Sequence, residues 1–389
     1  MKRFLPALLG IGCLFAFAGG AAAAEPFFEQ SDAFVGGTGG YHTYRLPVLV
    51  VSNRGTLLLF CDGRKNDAGD IGKIDPALKR SLDGGKTWGK LQVLQTDKGP
   101  RTKIGNPSAF VDRHTGHVHL IFCWNLTRAY AITSTDDGAT FGKPVEITET
   151  FKQFAYDWKY FATGHCHGIQ LRDGRLVVPI FLNNVPRGQE SKGKLQAGVI
   201  YSDDHGKTYQ AGGLVAFFHQ LNESSVFEAS DGSLCLNMRA RGLGHRVVAR
   251  SSDGGRTWTE PKIDKTLPCP TCQASTLSLP SKHGKSRVLF SNPATQTSRS
   301  HLTVRLSYDD GKSWPVAREI TRGPAGYSDL AVAGDGTIYV AYENGEKRYS
   351  ERLTVARFNL EWLTRGRDSA GNACRRQPPA FVLRTSPSP

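Results

Sequence analysis

One eight-residue pattern recurs along this chain and limits what it can fold into. Ser-x-Asp-x-Gly-x-Thr/Ser followed by an aromatic residue occurs five times in 389 residues, with successive copies starting 53, 68, 49 and 56 residues apart. Each copy suits a hairpin turn, because Asp bonds to its own backbone, Gly accepts a positive φ and the ring packs beneath. The copies are SLDGGKTW at 81–88, STDDGATF at 134–141, SDDHGKTY at 202–209, SSDGGRTW at 251–258 and SYDDGKSW at 307–314.

Short apolar runs rich in Val, Ile and Leu surround these turns and predict strands. They lie at 56–60, 118–122, 175–180, 247–250, 287–290 and 337–341, while only 358–364 suggests a short helix. A repeat of about 50 to 60 residues, with about four short strands and an aromatic turn, is typical of a propeller blade. About 340 residues at that period make about six blades. The predicted fold is therefore an all-β, six-bladed β-propeller.

The N-terminus has the features of a secretory leader. Lys2 and Arg3 precede an apolar run at 4–17, and three alanines at 22–24 end the segment. This order is typical of a signal peptide, and the run is too short to span a bilayer comfortably. We predict a signal peptide at 1–24, cleavage after Ala24, and export to the periplasm or the extracellular space. A lipoprotein signal at Cys13 is the alternative, but Gly10 stands where a larger aliphatic residue is usual.

The rest of the chain divides into one large domain at 25–363 and a short tail. Residues 364–389 are rich in Arg, Pro and Ser without an apolar period, which predicts a poorly ordered tail. The net charge is +14, or +12 without the leader; it is compatible with acidic partners, but solubility is the favoured explanation for most of the surface lysines. The positive residues are scattered and form no basic stripe with interleaved aromatics, so we expect no nucleic-acid binding. No later segment predicts stable membrane insertion, and the oligomeric state is left open.

The cysteines argue against a disulfide framework and against a metal site. Seven of the eight follow the leader, an odd number for such a long chain. Cys61, Cys123 and Cys235 lie in apolar runs and predict small buried side chains. Cys269 and Cys272 form a CxxC without a second ligand pair, so a disulfide in an exported protein is favoured over zinc. We expect no metal and no cofactor.

The five octapeptides resemble the Asp-box of the sialidase superfamily, and residues 34–363 resemble bacterial exo-sialidases. In that family the boxes are structural turns away from the active site, so we expect the boxes here to hold hairpins and touch no substrate. The resemblance implies that the domain at 25–363 is a catalytic propeller. It also implies site residues, which are matched one motif at a time.

Two motifs fall in the first predicted blade. The segment YRLP at 44–47 resembles the family's YRIP, whose arginine binds the carboxylate of the sugar, and this assigns Arg45. The segment DGR at 62–64 opens a polar loop that resembles the one carrying the second arginine and the catalytic aspartate. Arg64 is that arginine, and Asp70, followed by a glycine and an Ile-Asp pair, fits the aspartate. Asp67 is the alternative.

A second group of motifs lies in the middle of the chain. In the resemblance, Glu223 in NESSVFE at 222–228 is the catalytic glutamate, and Arg239, after the next predicted strand, is a clamp arginine. Glu228 is the rival carboxylate and is expected to be structural. Arg241 and Arg246 compete with Arg239, which is preferred because it directly follows the Asn-Met that ends the strand.

The last motifs precede and follow the fifth box. Arg299, after SNP at 291–293, matches the last clamp arginine, whereas Arg305 lies within a strand and is expected to be solvated. Tyr327 in GYSDL at 326–330 matches the catalytic tyrosine, and YE at 342–343 matches the strand that follows it. The seven residues occur in the family's order. Each single match is weak, and the shared order of all seven is what supports the resemblance.

The resemblance implies a defined chemistry. Sialic acid carries a carboxylate on its anomeric carbon, and guanidinium groups bind carboxylates bidentately, which is the implied role of the clamp Arg45, Arg239 and Arg299, with Arg64 beside it. A tyrosine nucleophile avoids repulsion by that carboxylate, as in the sialidase exception among retaining glycosidases. Glu223 would act as its base, and Asp70 as the acid/base at the leaving oxygen. The expected activity is retaining hydrolysis of terminal α-linked sialic acids from glycoproteins, glycolipids or oligosaccharides.

Two stretches depart from the family pattern, and two other protein classes remain open. His165, Cys166 and His167 stand where a Gly-Pro-Gly-like loop is usual and are expected to line the N-acyl side of the pocket without holding a metal. Cys269 stands where an aspartate is common, so the acyl preference stays open, as do linkage and hydrolysis versus transfer. A sialic-acid-binding lectin propeller would lack the acid or the nucleophile. An Asp-box glycosidase acting on neutral polysaccharide would not need the arginines.

Overall fold

A computed structural model describes residues 24–189, 192–217, 220–279 and 286–369. Within these ranges the chain forms six four-stranded antiparallel blades arranged as a propeller, which confirms the predicted fold. The proposed signal peptide, up to residue 23, and the tail from residue 370 onward lie outside the described residues. In the part that is described, no helix is long and apolar enough to cross a membrane.

The first strand of the chain, β1 (Phe28–Val35), belongs to blade six. Blades one to three follow it along the chain. Blade one is β2 (Thr43–Val51), β3 (Leu57–Arg64), β4 (Ile74–Ser81) and β5 (Gln92–Val93). Blade two is β6 (Ile104–Val111), β7 (Val118–Trp124), β8 (Arg128–Ser134) and β9 (Val145–Glu146). Helix α1 (Thr148–Lys152) leads into blade three, which is β10 (Tyr160–Thr163), β11 (Ile169–Gln170), β12 (Leu176–Asn183), β13 (Leu195–Ser202) and β14 (Gln210–Val215). Both β10 and β11 pair with β12, so they form the inner edge of this blade together.

Blade four is a separate sheet, whereas blades five and six share one long strand. Blade four is β15 (Leu221–Glu228), β16 (Leu234–Ala240), β17 (His245–Ser251) and β18 (Lys262–Pro268). Blade five is β19 (Ser275–Ser278), β20 (Val288–Pro293), β21 (Ser300–Ser307) and the first half of β22 (Val316–Val332). The second half of β22 starts blade six, which continues with β23 (Ile338–Asn344) and β24 (Arg352–Phe358).

The propeller is closed by its two ends. Strand β1 pairs antiparallel with β24, from Phe28 opposite Phe358 to Val35 opposite Arg352, so the N-terminal strand completes the last blade. The predicted short helix is confirmed as α2 (Leu360–Thr364), whose first turn is capped by an Asn side chain. This pairing supplies the fourth strand of blade six from the opposite end of the chain.

The five octapeptides form the turns after the third strand of blades one to five, as predicted. In the first copy, the Asp83 carboxylate accepts hydrogen bonds from the Thr87 backbone N–H at 3.0 Å and its hydroxyl at 2.6 Å. Gly85, with φ of 83°, donates its N–H to the Ser81 hydroxyl at 2.8 Å. The same bonds recur in the other four copies. Each box therefore satisfies its own backbone.

One buried carboxylate ties four blades together around the propeller axis. Asp329 accepts hydrogen bonds from the backbone N–H of Leu49 at 2.9 Å and of His167 at 3.2 Å. It also accepts from the Ser275 hydroxyl and from His167 Nδ1, both at 2.8 Å. Burial alone would lower the pKa of His167, but the Asp329 carboxylate outweighs burial and raises that pKa. His167 is thus a structural partner of Asp329 in this arrangement.

The strands nearest the axis are irregular near their starts. A β-bulge places two residues of one strand opposite one of its partner and re-aims the side chains there. Residues at or beside these breaks also adopt positive φ, such as Leu46 at 59° and Asn106 at 58°. The breaks in register lie between Arg45 and Val48, Gly105 and Ser108, Leu221 and Ser224, and Ala325 and Ser328. Three of the four breaks therefore lie at predicted site residues, which are Arg45, Glu223 and Tyr327.

Candidate active site

The seven predicted site residues come together at one end of the propeller. In an antiparallel blade, the start of the first strand, the end of the second and the start of the third share one end. The seven come from four blades: Arg45 lies in β2, Arg64 ends β3, Asp70 is in the β3–β4 turn, Glu223 is in β15, Arg239 is in β16, Arg299 precedes β21 and Tyr327 is in β22.

Tyr327, Glu223 and Arg239 form a hydrogen-bonded cluster. The Tyr327 hydroxyl donates to Glu223 Oε1 at 2.5 Å. Arg239 Nη1 donates to Glu223 Oε2 and, at 2.9 Å, to the Tyr327 oxygen. Tyr327 is 5% exposed and Glu223 is 7% exposed, so this cluster lies at the bottom of the site, away from bulk water. A phenol and a carboxylate in this contact can exchange a proton directly.

The burial and charges around this pair keep the proton on the phenol in the resting protein. Burial and the neighbouring Glu223 carboxylate raise the pKa of Tyr327 well above its ordinary value, although Arg239 and Arg299 oppose the shift. Burial alone would raise the pKa of Glu223, but Arg239, His165 and the hydrogen bonds from Tyr327 and Arg239 together hold that pKa below its ordinary value. Glu223 is therefore ionised and able to accept a proton once the phenol becomes more acidic.

Asp70 reaches the site from the exposed β3–β4 loop and is held by two buried arginines. Its Oδ1 lies 2.7 Å from Arg64 Nη2 and 3.8 Å from Arg45 Nη1. The Asp70 side chain is 63% exposed, whereas those of Arg64 and Arg45 are 1% and 8% exposed. Desolvation opposes ionisation, but Arg64 and then Arg45 hold the pKa of Asp70 well below its ordinary value. Of the two candidates in this loop, Asp67 instead accepts a hydrogen bond from the Gly69 backbone at 2.7 Å.

Two guanidinium groups flank the tyrosine ring. The central carbons of Arg45 and Arg299 each lie 5.3 Å from the centroid of the Tyr327 ring. The same carbons lie 5.2 and 5.0 Å from the Tyr349 ring. Arg299 is also anchored by a 3.1 Å hydrogen bond to the carbonyl of Thr271. With Arg239 on the phenol oxygen, three arginines surround Tyr327 and favour an anion there.

The sequence reasoning missed the residue that orients Arg45. Glu343, fully buried near the end of β23, accepts hydrogen bonds from Arg45 Nε at 2.9 Å and Nη2 at 3.1 Å. Its two oxygens also accept from the backbone N–H groups of Leu46 at 3.0 Å and Tyr327 at 3.1 Å. A glutamate directly after the apolar run 337–342 was the available signal, because a buried charge needs a partner. Tyr349, in the β23–β24 turn, carried no such signal.

The rival residues occupy different environments. Arg246 is fully buried and donates to Asn237 Oδ1 at 2.6 Å and to the Cys272 carbonyl at 2.9 Å, which makes it structural. Arg241 is exposed after the end of β16. Glu228 ends β15, five residues and about 16 Å from Glu223 along the strand, and there it pairs with an arginine at 3.1 Å.

One expectation about an arginine was wrong. Arg305 is half-buried in β21 and donates to Asn292 Oδ1 at 3.2 Å, so it is not a solvated side chain. Strand β21 packs between β20 and β22. The sequence pattern alone did not show that these two strands flank Arg305. Arg305 makes no contact with the clamp in the described structure.

The cysteines are buried thiols. Cys61, Cys123, Cys166, Cys235, Cys269 and Cys272 are all free and buried, so the disulfide favoured for Cys269 and Cys272 is not formed here. Cys269 Sγ instead lies 3.4 Å from the backbone N–H of Cys272. Among the described residues, no group of three or more His, Cys, Asp or Glu side chains is arranged to hold a metal ion.

The fold and this cluster define a class: an Asp-box β-propeller with an arginine-rich site that contains a paired phenol and carboxylate. The model of the BNR repeat-like domain matches residues 55–340. The chain is 35% identical to a sialidase of Micromonospora viridifaciens over 369 residues, covering 87% of this chain and 55% of that protein. It is 30% identical to an exo-alpha-sialidase of Arthroderma benhamiae over 374 residues, covering 84% of this chain and 86% of that protein. This protein therefore belongs to the sialidase family of BNR-repeat proteins.

A solved structure supports the same assignment. The Hadza microbial sialidase Hz136 superposes with a TM-score of 0.76 at 29% sequence identity, covering 86% of this chain and 69% of that chain. The chain spans little more than half the length of its Micromonospora relative, so the matched part is the propeller rather than the whole of that protein.

Proposed function

We propose that this protein is an exo-sialidase that hydrolyses terminal α-linked sialic acids with retention of configuration. The observation that carries the proposal is the short hydrogen bond between Tyr327 and Glu223, beside three arginines that surround the Tyr327 ring and hydroxyl. Glu343 and Glu223 already pair with Arg45 and Arg239, but Arg299 is held by the neutral Thr271 carbonyl, so a further anion beside it would be favourable. A sugar acid supplies that anion. The relatives at 35% and 30% identity are a sialidase and an exo-alpha-sialidase, which supports the same activity.

The arginines would bind the carboxylate of the substrate. Arg45, Arg239 and Arg299 would grip it, with Arg64 beside them holding Asp70. Guanidinium groups remain charged at any working pH and match a carboxylate with two parallel hydrogen bonds. Because Arg45 is already fixed by Glu343, little orientational freedom would be lost when the substrate binds. The clamp would place the anomeric carbon above the Tyr327 oxygen.

Tyr327 would then act as the nucleophile. Its oxygen attacks the anomeric carbon while its proton moves to Glu223 Oε1, 2.5 Å away, and the bond to the leaving oxygen breaks. The phenol is uncharged before attack, so the substrate carboxylate does not repel it, which is the reason that sialidases use tyrosine in place of a carboxylate nucleophile. The product of this step is a covalent sialyl-enzyme and a protonated Glu223.

Asp70 would protonate the leaving oxygen and later activate water. In the free protein Arg64 and Arg45 hold its pKa low. When the substrate carboxylate neutralises part of this positive charge, the pKa of Asp70 rises and the protonated form becomes more available. In the second step Asp70 takes a proton from water, which attacks the same carbon and releases Tyr327, whose oxygen recovers the proton from Glu223. Two inversions give net retention.

Release of 4-methylumbelliferone from its sialic acid ketoside tests the activity, with neutral 4-methylumbelliferyl glycosides as the comparison. Hydrolysis of the sialoside alone is the expected result. Binding of sialyllactose without turnover would indicate a lectin, and turnover of neutral glycosides would indicate another class of Asp-box glycosidase. Trapping with 2,3-difluorosialic acid followed by peptide mass spectrometry should place the label on Tyr327, and a label elsewhere would refute the nucleophile.

The proposed substrates are sialylated glycoproteins, glycolipids or oligosaccharides, and the proposed location is outside the cytoplasm. The matched motifs support the proposed substrates, and the signal peptide predicted at 1–24 supports the proposed location. A substrate panel with defined linkages and acyl groups would establish the preferred sialic acid. Fractionation of the native host with N-terminal sequencing of the mature chain would establish the location and the cleavage after Ala24.

A further inference from the structure

A histidine that none of the proposed steps uses lies against the Tyr327–Glu223 pair. His165 follows β10, is 4% exposed and has a φ of 57°, an uncommon conformation for a residue with a side chain. The loop around it is firmly held. The Gly164 N–H donates to the Pro179 carbonyl at 2.8 Å, and a Cβ on Gly164 would meet the Ser224 carbonyl oxygen at 2.7 Å. His165 is therefore fixed in place by the close packing of β10 against blade four.

The ring of His165 contacts both members of the pair. Its Nε2 lies 3.6 Å from Glu223 Oε1, the same oxygen that accepts the Tyr327 proton. This distance is too long for a hydrogen bond but short for an electrostatic interaction in a buried site. The ring centroid lies 6.1 Å from that of Tyr327 and 6.1 Å from that of Phe181, so the imidazole also packs against the nucleophile.

The surroundings of His165 favour the neutral ring with its proton on Nε2. Burial lowers the pKa of His165 to about 4, although Glu223 opposes the shift. The charged groups that face the ring are Glu223 and Asp70, which are acids, and Lys103 and Arg239, which are cations. The neutral ring adds no further charge to these four charged groups.

The tautomer follows from the two neighbours of the ring. The amide nitrogen of Asn106 lies 3.1 Å from His165 Nδ1 and 3.0 Å from Nε2, and it can donate to only one unprotonated nitrogen. A carboxylate beside Nε2 favours a proton there, so Nδ1 is left to accept from Asn106. The Nε2–H dipole then points toward Glu223 Oε1.

We propose that His165 is a positioning residue for the proton transfer, holding Glu223 ionised and aligned with Tyr327 through an uncharged Nε2–H group. The proposal rests on the function proposed above and adds a residue to it. A second cation at this position would weaken the base further, since Arg239 already contacts the other oxygen of Glu223. An apolar residue would give the carboxylate no stabilisation on this side. A neutral N–H donor stabilises the ionised carboxylate less than a cation would and more than an apolar side chain would. Glu223 therefore stays ionised and can still accept a proton.

The substitution His165→Phe keeps a ring against Tyr327 and Phe181 but removes the Nε2–H group. Without that dipole the ionised form of Glu223 is less stable, so the pKa of Glu223 rises. The rate of covalent trapping by 2,3-difluorosialic acid isolates this effect, because fluoride leaves as an anion and needs no proton from Asp70. We expect the acid limb of the trapping rate to move to higher pH by about 0.5 to 1 unit. The Michaelis constant should change less than about threefold, because the clamp arginines are untouched.

Two further variants control this experiment. His165→Gln restores an N–H group at similar reach and should return the acid limb toward that of the wild type. His119→Phe is the matched control, because His119 is 2% exposed, has a pKa lowered by burial to about 4 and stacks on Phe110 away from the site. Its acid limb should coincide with that of the wild type.

The possible outcomes separate the two proposals. A wild-type protein without sialidase activity would remove the proposed function itself. An active wild type whose acid limb is unchanged in His165→Phe would overturn the role of His165 and leave the function standing. Equal shifts in His165→Phe and His165→Gln would also overturn it, because they would indicate a packing effect and not the N–H group. If His165→Phe does not fold, His165→Gln against His165→Asn gives the same comparison, since Asn is too short to reach Glu223.

Discussion

Glu343 is the residue whose removal should reveal how the substrate-binding arginine is held. The substitution Glu343→Gln keeps the size of the side chain but removes its charge. Each carboxylate oxygen accepts two hydrogen bonds: Oε1 from Arg45 Nε and the Leu46 backbone, and Oε2 from Arg45 Nη2 and the Tyr327 backbone. Whichever way the amide turns, its NH₂ group faces two donors. Two hydrogen bonds are therefore lost, and a donor is placed against donors.

The magnitude follows from the burial of the pair. Glu343 has no exposed side-chain surface and that of Arg45 is 8% exposed, so water cannot replace the lost partner. Breaking a buried ion pair by removing one member costs about 3–5 kcal/mol, because the remaining charge is uncompensated. Urea unfolding at neutral pH should show a loss of this size in the free energy of unfolding. Arg45 also loses its orientation, so we expect kcat/KM on a sialoside to fall about 10- to 100-fold, as for one charge-assisted hydrogen bond.

A surface pair of the same geometry provides the control. Arg128 Nε and Nη2 donate to Glu146 Oε1 and Oε2 at 3.0 and 2.6 Å, but the two side chains are 51% and 40% exposed. Glu146→Gln should leave unfolding and kinetics close to those of the wild type, because exposed pairs contribute little. A Glu343→Gln protein as stable and as active as the Glu146→Gln protein would refute the assignment of Glu343 as the anchor of Arg45.

Further predictions concern the other parts of the site and the fold. Tyr327→Phe should retain the fold, measured by circular dichroism, and lose at least about 100-fold in kcat, because it removes the oxygen proposed as the nucleophile. Arg299→Lys should weaken substrate binding by about 1.5–3 kcal/mol, measured as the inhibition constant of an unreactive sialic acid analogue, and an unchanged constant would remove Arg299 from the clamp. The folded pKa of Asp70 is depressed, so its ionised form stabilises the fold above the unfolded pKa of about 3.9 and this contribution is lost as the pH falls through the folded pKa. The difference in the free energy of unfolding in urea between the wild type and Asp70→Asn should therefore narrow below about pH 4. A difference that does not change with pH would contradict the ion pairs of Asp70 with Arg64 and Arg45. Asp253→Ala, in the fourth box, should lower the melting temperature through the lost bonds to Thr257, with kcat and KM unchanged.

Local chemistry explains why the fold was predictable. Each box is a turn that satisfies its own backbone, as the Asp83 carboxylate does with Thr87, so its conformation is encoded within eight residues. Five such turns at blade-length spacing determine the repeat, and the repeat determines the architecture. The sixth blade has no box and is completed by β1, a long-range pairing that no local pattern announces.

The choice between neighbouring candidates could be made only in three dimensions. Asp70 and Asp67 are three residues apart in one loop, yet only Asp70 lies against Arg64. Arg239 and Arg246 face each other on paired strands, yet one contacts Glu223 and the other is a structural donor. A side chain's direction depends on the local bulge and on the blade packed against it, which sequence spacing does not carry.

The sequence by itself determined the propeller, its boxes and the order of the residues proposed for catalysis and binding, because these depend on turn chemistry and on motif order. Only the tertiary structure revealed Glu343 beneath Arg45 and His165 beside Glu223. Glu343 lies 298 residues from Arg45 along the chain, and His165 comes from a different blade than Glu223. Such contacts depend on how the blades close around the axis, and that closure is a property of the whole fold rather than of any one segment.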